Sequence, residues 1–352
     1  MYTIKDYVKW WGELDWKQEP LKTEDIVVLT SLMYCPYEEL LGKDYKGKTL
    51  GELNELVYID RKPTNDWGWQ VSLFETWLDL PNYRRFANVK LANFEAVTDS
   101  DEQFAAATYE VGDCVVVAFR GTDTTMIGWK EDIDIAYQGT LPSQQTALKY
   151  LNHELQKYDK LYITGHSKGG NLAMYSAAYC DTPEKIVKVF NLDGPGLCYD
   201  AYRDKWALIK DKLVTLVPYG SIIGVILGYG ANYAVVSSTA RGFNQHDTFT
   251  WGFDGPHLNY VGELSDRSRK LSETFHEFMN KTKDEDRKVL INTLFKLADI
   301  LEVDDVDDLL SNLLPSAPNM IKMMHNLDPQ EKKILKELGK TFVRSGIHTI
   351  TS

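Results

Sequence analysis

Ser167 is the residue around which chemistry can be assembled. It lies in Leu161-Tyr-Ile-Thr-Gly-His-Ser-Lys-Gly-Gly-Asn-Leu-Ala-Met174. A short apolar run, Leu161 to Ile163, reads as a buried strand, Gly165 to Gly169 as a tight turn, and Gly170 to Ala178 as a helix of small and apolar residues. In that context G-x-S-x-G is a nucleophile elbow. A strained backbone lifts the serine hydroxyl clear of the sheet, while the flanking glycines let strand and helix pass closely beneath it. Stripped of these flanks, the same letters describe a glycine-rich bend with an inert serine.

A serine hydroxyl needs a base, a group that orients the base, and donors aimed at the developing oxyanion. With the chain order serine, acid, histidine, the base lies downstream. The candidates are His246, His257, His276, His325 and His348. The last three fall in a helical C-terminal part, where surface exposure is the default. His246 stands in Arg241-Gly-Phe-Asn-Gln-His-Asp247, a polar loop following a strand from Tyr233 to Ser238. A base there can overhang the elbow. His257 is the second choice, and a chain without a catalytic histidine is the third.

Two carboxylates compete as the orienting acid. Asp193, in Val189-Phe-Asn-Leu-Asp-Gly-Pro-Gly196, ends a strand expected beside the elbow strand, but an aspartate opening a Gly-Pro turn also has a purely local role. Asp247 adjoins His246, and neighbouring residues rarely aim well at each other. One oxyanion donor is expected from the backbone of Lys168, at a helix N-terminus whose dipole favours negative charge. The second is expected from Arg120-Gly121-Thr122-Asp123, where Gly121 permits close approach and Thr122 can add its hydroxyl. Read blandly, that segment is a charged turn closing an edge.

The elements that must hold these residues follow from periodicity. Residues 1–60 read as helical, with a helix start at Thr3-Ile-Lys-Asp6 and an amphipathic run from Asp25 to Leu41. Another helix runs from Val71 to Leu80. Phe104 to Val111 and Asp113 to Phe119 read as a hairpin with a Gly112-Asp113 turn. A helix from Pro142 to Tyr158, then strands Ile186 to Leu192 and Leu213 to Val217, alternate in the way that predicts a mostly parallel sheet covered on both faces. Beyond Pro256 the texture becomes helical, with helix-start boxes at Thr282-x-x-Glu285 and Asp328-Pro-Gln-Glu331. The predicted organisation is a hydrolase domain over 1–258, with its helical N-terminal segment over about 1–90, and a helical extension over 259–352.

Composition narrows the function. The chain has 352 residues and a net charge of −12, which argues against a nucleic-acid partner needing a basic face. Cys35, Cys114, Cys180 and Cys198 are far apart with no C-x-x-C pair, pointing to reduced thiols and a cytoplasmic location. The start of the chain shows no secretory signal. Leu213 to Ala240 carries no charge over a length that could span a bilayer, but proline, asparagine and several glycines interrupt it, so no transmembrane segment is expected. The acidic cluster from Asp299 to Asp308 lacks the glycine and ligand spacing of a calcium loop. No metal or other cofactor is expected.

Taken together, Phe119-Arg-Gly-Thr-Asp123, Gly128-Trp-Lys-Glu-Asp132, Gly165-His-Ser-Lys-Gly-Gly170 and His246-Asp-Thr-Phe-Thr-Trp251 resemble the ordered motif set of the class 3 lipases. The chain is more closely similar to a bacterial family of uncharacterised α/β-hydrolases related to those lipases, over roughly residues 1 to 255. That resemblance implies an α/β-hydrolase fold, to which the residue pattern adds a helical N-terminal cap and a helical C-terminal extension. It implies Ser167 as nucleophile, His246 as base, and Thr122 with Lys168 as the oxyanion hole. It also implies a lid over Asp123 to Ile135. One departure stands out. The lipases carry their acid after the strand corresponding to Leu213–Val217, in an Asn-Asp-Pro context, whereas this chain reads Val217-Pro-Tyr-Gly-Ser-Ile-Ile-Gly224. Either the acid has moved to Asp193, one strand earlier, or the triad is incomplete.

The expected activity is hydrolysis of a carboxylic ester of a hydrophobic acyl or lipid substrate through an acyl-enzyme, with Ile222 to Tyr229 as a candidate acyl pocket. The competing expectation is a hydrolase fold retained as a binding or scaffold module, its partner protein unknown.

Overall fold

The computed structural model describes residues 1–59, 69–99, 102–122, 140–197, 205–225, 232–281, 289 and 327–344. The expected hairpin forms as β2 (Gln103–Val111) and β3 (Cys114–Phe119), turning at Gly112 with φ +57°. Ahead of it lies a strand the periodicity did not reveal, β1 (Lys90–Thr98). A register shift between Leu91 and Asn93 breaks its alternation, which hides the period of two. The remaining strands of the main sheet are β4 (Leu161–His166), β5 (Ile186–Leu192), β6 (Leu213–Pro218), β7 (Tyr233–Val236) and β10 (Tyr260–Val261). Between the last two, β8 (Phe253–Asp254) and β9 (His257–Leu258) form a separate small hairpin.

Among the described residues, the main sheet has eight strands in the order β1-β2-β3-β4-β5-β6-β7-β10. β1 to β3 are antiparallel, β3 to β7 run parallel, and β10 closes the far edge antiparallel to β7. The parallel register pairs Phe119 with Gly165, His166 with Leu192, Leu192 with Leu216 and Pro218 with Val236. The carboxyl ends of β3 to β7 therefore finish level, and the segments leaving them emerge along one edge. Ligands of open parallel sheets bind at such an edge.

Helices cover both faces. On one side lie α1 (Ile4–Trp11), α2 (Thr23–Ser31), α3 (Leu50–Leu53), α4 (Trp69–Asp79) and α5 (Arg84–Ala87), whose buried side chains share a core with Leu91, Tyr109 and Trp251. On the other side, α6 (Pro142–Lys157) packs Ala147, Leu151 and Leu155 against α7 (Lys168–Tyr179) and the sheet. Each leucine among them taken out of water contributes on the order of 1.5–3 kcal/mol. Arg85 on α5 and Asp25 on α2 tie the N-terminal layer together. They form a fully buried bidentate pair at 2.8 and 2.6 Å, with the guanidinium 3.8 Å over the Trp16 ring. Removing one partner would strand the other charge, at a cost of about 3–5 kcal/mol.

The helix expected from Asp25 to Leu41 is broken. α2 stops at Ser31, a 3₁₀ turn spans Leu32–Tyr34, and Cys35 is extended (ψ 142°) ahead of Pro36 before a second 3₁₀ turn at Tyr37–Leu40. A residue preceding proline avoids the helical region. Near the C-terminus, α8 (Asp266–Lys281) touches α9 (Pro329–Arg344). The box at Asp328 forms: Asp328 N–H donates to Glu331 Oε2 at 2.7 Å and Glu331 N–H to Asp328 Oδ1 at 2.9 Å. The expected lid, the Thr282 box, the acidic cluster and the Ile222–Tyr229 run beyond Val225 lie outside the described residues.

Candidate active site

Ser167 follows β4 directly and opens α7, so the backbone must reverse within one residue. It does so at φ 56°, ψ −132°. Among the described residues only two non-glycines have positive φ, Ser167 and Asp193. Such conformations cost on the order of 1–3 kcal/mol and persist where the surroundings over-determine them. Here Ser167 N–H donates to the Leu192 carbonyl at 3.0 Å and Gly170 N–H to the Ser167 carbonyl at 2.9 Å. The glycines are required by contact: a Cβ on Gly165 would fall 2.0 Å from the Gly169 carbonyl oxygen, and one on Gly169 would fall 2.2 Å from that of Phe119.

Asp193 leaves β5 one strand over. Its N–H bonds the Leu216 carbonyl at 2.8 Å, and Asn191 braces the turn by accepting from Gly194 N–H at 3.0 Å. The fully buried carboxylate is divided between two tasks. Oδ2 lies 2.7 Å from His246 Nδ1, while Oδ1 accepts from the Ser221 hydroxyl at 2.5 Å and from Gly224 N–H at 3.1 Å. Ser221 and Gly224 belong to the segment after β6, where the sequence lacks a carboxylate. That segment thus supplies donors to an acid from the neighbouring strand. Because a carboxylate only accepts, His246 Nδ1 carries a proton, which makes Nε2 the nitrogen that can act as a base in the neutral ring.

His246 ends a 3₁₀ turn, Gly242–His246, in the loop after β7, with its side chain 12% exposed. That loop is fastened on two sides: Gly220 N–H donates to Gln245 Oε1 at 2.9 Å, and Trp251 Nε1–H to the Gln245 carbonyl at 3.0 Å. Asp247 turns away from this arrangement. Its carboxylate accepts from Phe249 N–H at 2.9 Å and caps the next turn, and burial raises its pKa to about 7. His257 sits apart on β9, with its side chain 66% exposed and 3.8 Å from Glu24. His276 is half-buried on α8, not exposed as expected, and burial lowers its pKa.

The segment after β3 passes directly against the elbow. A Cβ on Gly121 would lie 3.0 Å from Ser167 Cβ and 2.6 Å from the His166 carbonyl oxygen, and half-buried Thr122 comes next. Lys168 heads α7, at the helix end whose dipole favours negative charge. Its buried ammonium donates to the Gln103 carbonyl at 2.7 Å, so the side chain staples the elbow to β2. Two other residues here were not picked out from the sequence. His166 and Tyr34 share a 2.7 Å hydrogen bond, and the His166 ring lies 4.4 Å from that of His246.

A mostly parallel eight-stranded sheet, covered by helices on both faces and carrying a strained serine after its central strand, defines an α/β-hydrolase. A family model described as Mbeg1-like matches residues 80–296, and the chain belongs to this lipase-related family. Among solved structures, it is similar to a triacylglycerol lipase from Penicillium expansum, with 17% identity over 51% of this chain and 84% of that one, at a TM-score of 0.31. Lipase II from Rhizopus niveus aligns at 14% identity over 76% and 89% of the two chains (TM-score 0.37), and Lip2 lipase from Yarrowia lipolytica at 13% over 51% and 72% (TM-score 0.34). No curated protein sequence matches significantly.

Proposed function

We propose that the chain is a serine hydrolase that cleaves a carboxylic ester of a hydrophobic acyl or lipid substrate through an acyl-enzyme. The observation that carries this reading is the 2.7 Å bond between His246 Nδ1 and Asp193 Oδ2 at the same sheet edge as the strained, buried Ser167. Ser167 Oγ attacks the substrate carbonyl while His246 Nε2 takes its proton. Asp193 keeps the ring in the required tautomer and stabilises the imidazolium. The N–H groups of Thr122 and Lys168 hold the tetrahedral oxyanion. On its collapse the C–O bond to the leaving alcohol breaks, and the alcohol receives the proton from His246. Water, deprotonated by the same nitrogen, then attacks the acyl-enzyme and releases the carboxylic acid with Ser167 restored.

We place the protein in the cytoplasm, in keeping with free thiols at Cys35, Cys114 and Cys180. Among the described residues, no helix is long and apolar enough to cross a membrane. A fluorophosphonate probe and a panel of p-nitrophenyl esters of increasing chain length test the activity. Labelling and turnover should both vanish in Ser167→Ala. A wild-type chain that neither labels nor turns over is a binding module on a hydrolase fold.

A further inference from the structure

Behind the proposed base lie two groups that the chemistry above does not use. His166 is buried, and its ring rests against that of His246 with the planes at 36°. Its Nε2 is 2.8 Å from the His246 backbone carbonyl oxygen, and its Nδ1 is 2.7 Å from the Tyr34 hydroxyl. A carbonyl oxygen only accepts, so Nε2 must carry a proton and donate it. Nδ1 is then either a lone pair accepting from Tyr34 or the second N–H of an imidazolium. Burial and the adjacent His246 ring both disfavour the charged form, holding the His166 pKa well below the usual histidine range. The ring is neutral, and Tyr34 donates.

We propose that His166, locked by the Tyr34 hydroxyl in its Nε2–H tautomer, is a positioning residue that holds His246 in line with Ser167. The proposal rests on reading Ser167 and His246 as nucleophile and base. Three contacts then fix the base. Asp193 sets its rotation through Nδ1, the His166 N–H pins its main chain, and the flat face of the His166 ring limits its tilt. Neutrality matters, because an imidazolium behind His246 would oppose the charge that His246 acquires on taking the serine proton. The same hydroxyl reaches a third loop: a Cβ on Gly121 would come within 2.4 Å of Tyr34 Oη. One side chain at the end of the Leu32–Tyr34 turn thus sits against both the elbow strand and the proposed oxyanion loop. The bend imposed ahead of Pro36 brings the chain off the α2 axis just beyond this residue.

The test uses the full-length chain and three variants. His166→Leu removes both nitrogens at similar volume, His166→Gln restores an amide donor near the position of Nε2, and Tyr34→Phe deletes only the hydroxyl. For ester hydrolysis, kcat should fall about 100-fold in His166→Leu, about tenfold in Tyr34→Phe and less than about fivefold in His166→Gln, with KM within about twofold throughout. Should His166→Leu fail to fold, the other two variants still decide. Rates equal to wild type in both, or a loss confined to KM, overturn the proposal while the hydrolase reading stands. Nitrogen-15 NMR of histidine-labelled protein gives an answer independent of turnover. The His166 proton should reside on Nε2 and the ring should not titrate between about pH 5 and pH 8. An Nδ1–H tautomer or a titrating ring refutes the proposal. Absence of both Ser167 labelling and ester turnover in the wild type overturns the hydrolase reading and this proposal together.

Discussion

Replacing Asp193 with asparagine should do more damage than the loss of one charge suggests, and the geometry says why. The backbone at Asp193 has φ 47°, a conformation that asparagine tolerates as well as aspartate, so the substitution leaves the turn unstrained. Orientation of the new amide is then dictated by its neighbours. The Ser221 hydroxyl and Gly224 N–H both donate to Oδ1, so the amide oxygen must occupy that position and the NH₂ must take the place of Oδ2. A donor then faces His246 Nδ1 across 2.7 Å, where an acceptor stood. The imidazole can meet it only by moving its own proton to Nε2, which removes the lone pair that accepts the serine proton. A forced wrong tautomer in a serine–histidine–aspartate site costs about 10⁴ in kcat, or about 5.5 kcal/mol at 1.36 kcal/mol per decade. Steady-state hydrolysis of a p-nitrophenyl ester by Asp193→Asn, alongside wild type and Ser167→Ala, measures it. Denaturant curves should show the variant folded. Activity within tenfold of wild type would mean that Asp193 does not set the tautomer, and the assignment of the acid would fall.

Ser167→Gly should relieve the strained φ of 56°. The relief of about 1–3 kcal/mol, offset by the roughly 0.5–1 kcal/mol of extra freedom glycine gains in the unfolded chain, leaves a net stabilisation of about 1 kcal/mol. Urea unfolding reads it, and an unchanged or lowered midpoint contradicts the strain argument. Asp247 should make stability fall with rising pH. Its folded pKa of about 7 lies above the unfolded value, so its contribution is fully present below about pH 4 and is lost as the pH rises through 7. Asp247→Asn keeps an acceptor for Phe249 N–H. It should flatten this component and leave the variant more stable than wild type above about pH 7; parallel curves for the two proteins would dispose of the idea.

The elbow was legible because everything that makes it is local. A strand, two glycines and a small-residue helix within fourteen positions leave the chain few other ways to turn. β5 is observed with the bounds read from its apolar run, and β2 and β3 within one residue of theirs. β1 was lost to its bulge, and the helix expected through Pro36 ignored a proline in plain view. The choice between two aspartates could not be made from spacing. Asp247 adjoins His246, yet its carboxylate bends back to cap its own turn, while Asp193, 53 residues away, meets the ring. Nor does any local pattern bring Tyr34 to His166 across 132 positions. Those encounters depend on parallel register, which brings the ends of β3 to β7 level, and on the N-terminal layer packing beneath them. Periodicity shows which way a side chain faces within its own element; which distant group it meets is decided only when the sheet closes and buried polar atoms must find partners.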